Sequence, residues 1–173
     1  MQAVRADPDS RPSFARALLP VWLVTAVWDA VCATALSVFA YGTPPAAVWQ
    51  GVAATVFGPA AISPGAALVG AGLLVHTAVA LTWAAVFVAA ALAWPALRRA
   101  IRTPGGALMV AAAYGPVIWL VMSLVVIPFA TGRPPRFGLR WWIQVGAHVP
   151  FVSLPLVLTA RRVLGDASSR TSV

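Results

Sequence analysis

The stretch "LLPVWLVTAVWDAVCATALSVFAYG", Leu18 to Gly42, decides the fold. An apolar helix of about twenty residues crosses the roughly 30 Å hydrocarbon core of a bilayer. From Leu18 to Ala40 the run carries one charged side chain, Asp29. The stretch therefore reads as a membrane-spanning helix with an acid near its middle, and the rest of the chain must supply both the bundle around it and the answer to its charge.

Three more runs have the same character. Spans are expected at about 18–40, 66–94, 105–130 and 141–164. Ser63 is placed as the N-cap of the second, Pro64 as its first helical residue and Pro95 as its stop. Thr103 caps the third and Pro104 opens it, while Arg161 and Arg162 end the fourth. Between the first two spans, "TPPAAVWQGVAATVFGPAAISP" is too short to cross. Thr43 is read as a cap, Pro44 as the opening of a helix over about 44–57, and Gly58-Pro59 as its break. That helix lies at the interface or dips in as a re-entrant piece. The expected fold is all-α: a single integral membrane four-helix bundle with this short outer helix.

Composition agrees. The 173 residues are 61% hydrophobic and 9% charged, with a mean hydropathy of +0.87, too few polar groups to cover a water-soluble domain. All twelve basic residues are arginine, and the chain has no lysine and no glutamate. The net charge of +8 is split into short clusters between apolar runs, the pattern of loop anchors and not of a nucleic-acid surface. Cys32 is the sole cysteine, so no internal disulfide forms. The first apolar run is longer than a signal-peptide core and more spans follow, so it reads as a retained helix; no lipobox precedes Cys32. Nine arginines (Arg5, Arg11, Arg16, Arg98, Arg99, Arg102, Arg161, Arg162 and Arg170) fall on one side of a four-span topology and three on the other. The positive-inside rule then puts both termini in the cytoplasm.

Pro116 and Pro128 in the third run, and Pro150 and Pro155 in the fourth, predict bends whose freed carbonyls need partners. Ala66 and Gly70, and Ala67 and Ala71, are small pairs spaced by four that let another backbone approach. The halves hold two spans each, without an evident internal sequence match.

Counting at 1.5 Å per residue puts Asp29 about 18 Å, His76 about 15 Å and His148 about 11 Å below the outer ends of their spans. A charge at that depth costs several kcal/mol unless it faces inward and finds a partner. Thr25 and Cys32 share the Asp29 face, and Gln144 shares the His148 face. The sequence thus nominates one polar cluster: Asp29, His76, His148, Gln144, Thr25 and Cys32. Several readings stand side by side. The groups satisfy one another and lock the bundle; they handle protons or a small solute; the two histidines hold a haem between facing helices; or Asp29, Cys32 and the histidines bind a metal, although no spacing motif supports that. Burial favours a neutral acid and a cationic neighbour a carboxylate, so the charge state stays open. No phosphate loop, paired-carboxylate arrangement or nucleophile elbow is present, and no catalytic residue is assigned. The outer loop "ATGRPPRFGLRWW" sets Arg133, Arg136 and Arg140 beside Phe137, Trp141 and Trp142. It reads as an interfacial belt, as an anion-attracting mouth, or as a docking surface for a partner protein.

The second half, "GGALMVAAAYGPVIWLVMSLVVIPFATGRPPRFGLRWWIQVGAHVPFVSLPLVLTARR", resembles the YagU-like family of bacterial inner-membrane proteins. The resemblance is carried by Gly105, Pro128, Gly132, Pro134, Pro135, Phe137, Trp141, Gly146, His148, Arg161 and Arg162. This chain reads Gly-Ala-His where the family has Gly-x-His or Gly-His, and its outer region between the first two spans is shorter. The resemblance implies a four-helix inner-membrane protein with a link to acid tolerance, and supplies no catalytic residues. A structural or accessory subunit of a membrane complex, a homo-oligomer, and a bis-histidine haem protein complete the functional expectations.

Overall fold

A computed structural model describes residues 13–59 and 65–169. The Ser63 and Pro64 start signals, Pro8, Pro12, Arg5, Arg11 and Arg170 lie outside the described residues. Among the described residues eight α-helices follow in order: α1 Phe14–Tyr41, α2 Pro45–Phe57, α3 Ala66–Ala93, α4 Pro95–Ala100, α5 Pro104–Val121, α6 Ile127–Thr131, α7 Leu139–His148 and α8 Leu154–Ser169. Two π-helical turns, Met122–Val126 and Val149–Ser153, join α5 to α6 and α7 to α8. Among the described residues, four stretches are long and apolar enough to cross a membrane: Phe14–Tyr41, Ala67–Ala93, Pro104–Thr131 and Leu139–Gly165. The protein is an all-α, multi-pass membrane bundle.

Helix starts follow local chemistry. Ser13 accepts from the Arg16 N–H at 3.2 Å, so α1 begins four residues before the apolar run. Thr103 accepts from the Gly106 N–H at 3.0 Å, the N-cap role expected of it. The short helix starts one residue later than its sequence reading: Pro44 is the N-cap, at ψ 144°, and Pro45 the first helical residue. A residue before proline is pushed out of the helical region, so Pro44 cannot open the helix. Pro95 stops α3 at an extended Trp94 but also opens α4, because proline at the first turn loses no bond.

The prolines act through π turns. Pro116 sits inside continuous α5. Pro128 and Pro155 each follow a π turn by two residues, and there the Ile127 N–H reaches the Met122 carbonyl and the Leu154 N–H reaches the Val149 carbonyl. The Ser153 hydroxyl lies 2.6 Å from the Ala111 carbonyl, with the His148 and Val149 carbonyls at 3.2 and 3.1 Å. Its single proton goes to the nearest, Ala111, and ties the second π turn to α5.

The first and third spans end alike. "FAYGTPP" (39–45) and "FATGRPP" (129–135) stand ninety residues apart, Gly42 against Gly132. Both glycines take φ near +60° and close their helices, a conformation that favours glycine. Ala17 and Val21 in α1, and Ala107 and Ala111 at the matching positions of α5, are all fully buried. The first and third spans therefore share a short motif at their ends, which the common turn geometry aligns.

At the end of the bundle that carries the termini, Val21, Phe87, Val88, Ile101, Leu156 and Val157 belong to a close-packed core. Of the small residues at the start of α3, Gly70 faces open space among the described residues: a Cβ there meets nothing within 4 Å. The close approach is at Gly72, which the Trp49 carbonyl of α2 overlies. Cross-helix bonds run from Trp22 Nε1 to the Thr77 carbonyl (3.0 Å) and from the Tyr114 hydroxyl to the Trp83 carbonyl (2.8 Å). The outward faces, among them Val27, Val31, Leu74, Met109 and Phe129, are exposed and apolar, the surface a lipid solvent requires.

Candidate functional site

The other end of the bundle is loosely filled, and the nominated polar residues gather there. Asp29 is half-buried on α1, two turns above the buried Val21. His76 reaches it from α3: Nε2 stands 3.8 Å from Asp29 Oδ2 and 3.3 Å from the Ala26 carbonyl. The first distance is within ion-pair range and beyond hydrogen-bond length. The Ala26 carbonyl can only accept, so Nε2 carries the proton.

His148 is placed by a similar device. Its Nδ1–H donates to the Gln144 backbone carbonyl at 2.7 Å, which leaves Nε2 as the second position of the ring. The Gln144 interaction is thus with the main chain, one turn back, and not with the amide side chain that the shared helix face suggested. Each imidazole also rests on a tryptophan: His76 edge-on to Trp49 with centroids 5.3 Å apart, His148 tilted on Trp119 at 5.0 Å.

Asp29, His76 and His148 line a common cavity of about 210 Å³, walled mainly by apolar side chains that include Val79, Trp83 and Val152. Thr25 is also in the wall, but its hydroxyl donates to the Val21 carbonyl at 2.7 Å, so it is internally satisfied. Cys32 and Gln144 meet Asp29 and His148 around a second, much smaller cavity of about 20 Å³. The six nominated residues therefore divide: a trio of titratable groups on the larger cavity, Thr25 bonded within its wall, and two flanking groups, Cys32 and Gln144, behind Asp29 and His148. Among the described residues, no group of three or more His, Cys, Asp and Glu comes close enough to hold a metal ion.

A third cavity, of about 570 Å³, opens at the loop end. It is lined by Arg133, Arg136, Arg140 and Trp141 of the basic–aromatic loop and its following helix. Arg140 lies over the Tyr41 ring at 4.2 Å. Phe137, Trp141 and Trp142 stack edge to edge at 5.1 and 4.7 Å; Trp141 is buried while Phe137 and Trp142 are exposed. Trp119 and Ile127 border both this cavity and the one holding Asp29.

Comparison of the chain with protein-family models, curated proteins and solved structures finds no match. The site must be read from its own geometry.

Residues outside the sequence nomination shape it. Trp49 was hidden because the docking of α2 is a tertiary fact; its one trace in the sequence is Gly72, a turn before His76 on the same face. Gly115 is the second. A Cβ there would stand 2.7 Å from the His148 carbonyl oxygen, so this glycine lets α5 support the His148 turn.

Proposed function

We propose that this protein lies in the bacterial inner membrane with both termini in the cytoplasm, and that Asp29, His76 and His148 form a proton-responsive site that handles protons together with a small solute. The observation that carries the reading is the Asp29–His76 pair, 3.8 Å apart, on the wall of a cavity shared with His148. A mostly apolar pocket with a few convergent polar groups is the usual make-up of a small-molecule site. Intramembrane ionisable residues mark ion and proton paths more often than packing.

Two further features support it. Asp29 and His76 come from the first two spans and His148 from the fourth, so the cavity is built by helices from both halves of the chain. The cavities gather toward the loop end while the termini end is close-packed, so the site faces the side that the arginine distribution makes the outer one. The resemblance of the second half to YagU-like proteins, with their link to acid tolerance, agrees with a titratable cluster facing that side.

Proteoliposomes containing a trapped pH indicator test the proposal. Proton-coupled movement is expected between pH 5 and 8, the range in which histidine titrates, and Asp29→Asn abolishes it. No flux across that range, with Asp29→Asn behaving like wild type, rejects the proposal.

A further inference from the structure

The 570 Å³ cavity at the loop end is lined by many hydrogen-bond donors and by few acceptors, among them the Gln144 amide and the Ser37 and Thr43 hydroxyls. Four buried polar atoms have no partner among the described residues: Tyr41 Oη, Trp119 Nε1, Ser123 Oγ and Trp141 Nε1. All four residues line this cavity. Ser123 and Trp141 are more than nine-tenths buried, at 7% and 8% exposure. Buried polar groups are nearly always paired, so four orphans among the residues around one cavity call for a common explanation.

Charge sharpens it. Arg133, Arg136 and Arg140 add three cations to the same wall, and no acidic residue lines it. Indole and guanidinium are donors only, so the tryptophans and arginines cannot partner one another. Thr131 is already used, donating to the Ile127 carbonyl at 2.8 Å and accepting from the Arg133 N–H at 3.3 Å. What the wall lacks is a guest with several acceptor oxygens and negative charge.

We propose that this cavity is a binding site for a phosphate group, carried either by an anionic lipid headgroup or by a soluble phosphate compound. A tetrahedral phosphate presents enough oxygens to engage guanidinium, indole and hydroxyl donors at once, and arginine matches its geometry in pairs of bonds. The cavity volume lies within the range of small-ligand pockets. Arg140 is held over Tyr41, which fixes one cation at the rim. The site shares Trp119 and Ile127 with the Asp29 cavity but is lined by none of Asp29, His76 and His148, so either reading holds without the other.

The test uses the full chain in a maltoside detergent, whose headgroup carries no phosphate. The unfolding temperature is followed against two probes: inorganic phosphate and a short-chain phosphatidylglycerol, with potassium chloride at matched ionic strength as the blank. A ligand that binds the folded state raises that temperature with a concentration dependence that yields its affinity. Saturable stabilisation by phosphatidylglycerol alone assigns the site to a headgroup, and by inorganic phosphate as well, to a soluble phosphate compound. In either case Arg133→Gln/Arg136→Gln weakens binding about tenfold or more, and Ser123→Ala or Trp141→Phe weakens it several-fold. Arg162→Gln, at the opposite end, leaves it unchanged. No saturable shift with either probe overturns the proposal, and so does a shift that all these variants share equally with wild type.

Discussion

Replacing Gly115 by alanine tests how the bundle builds its site. The added Cβ would lie 2.7 Å from the His148 carbonyl oxygen, 2.8 Å from the His148 carbonyl carbon and 2.8 Å from Ser153 Oγ. Ordinary contact begins near 3.4 Å, so the α7 end must retreat by about 0.7 Å. Two of the three obstacles are backbone, and the third is the hydroxyl that ties this turn to Ala111, so no flexible side-chain tip can absorb the change. Overpacking of this kind costs about 1–3 kcal/mol, and each kcal/mol lowers Tm by roughly 2–4 °C for a chain of this size. Gly70→Ala is the matched control. Its Cβ meets nothing within 4 Å, and alanine in place of a helical glycine stabilises by roughly 0.5–1 kcal/mol. Thermal unfolding in detergent should therefore move in opposite directions for the two variants. Gly115→Ala should also alter Trp119 emission, since that ring rests on His148. A Gly115→Ala protein at least as stable as wild type, with unchanged emission, would refute this packing of α5 against the His148 turn.

Other predictions follow from single contacts. Tyr114→Phe removes the bond to the Trp83 carbonyl and should cost about 0.6–2 kcal/mol in the same assay; an unchanged Tm would show that the hydroxyl is not engaged. Thr103→Ala removes the cap of α5 and should cost about 1 kcal/mol, a loss that Thr103→Ser largely restores. In a Cys32→Ser background, a cysteine at Arg98 should be shielded from impermeant maleimide in intact cells and one at Arg136 labelled, since the arginine distribution puts Arg98 inside; the reverse pattern overturns the proposed orientation. Each imidazole commits one nitrogen to a backbone carbonyl and keeps the other free, so absorbance decides the bis-histidine haem reading: a purified protein without a Soret band ends it. A Soret band would establish it.

The four spans were legible because a bilayer imposes about twenty apolar residues whatever the tertiary packing. The Asp29–His76 pairing was approachable for a related reason: helical rise converts sequence position into depth, and depth limits which groups can meet. Contacts within one depth layer left little trace. Gly70 and Gly72 look equivalent in the sequence, and only the docking of α2 tells the lined face from the open one. Trp49 and Trp119 look like ordinary apolar residues until their rings are seen against the imidazoles. Gln144 shows the limit of face-sharing arguments, since its main chain and not its amide reaches His148. The boundary at Pro44 is different, because a strict proline rule was available there and places the start at Pro45.

The account rests on Asp29 and His76 exchanging influence as a pair. Infrared difference spectroscopy reads this directly. Asp29 is the only acid of the four spans, so subtracting the Asp29→Asn spectrum isolates its protonated-carboxyl band. An opposite charge within a few ångströms moves a carboxyl titration by about one to three pH units. The band should therefore titrate at a midpoint that His76→Gln displaces by at least about one unit. An Asp29 band with the same midpoint in wild type and His76→Gln would mean that the two side chains do not sense each other.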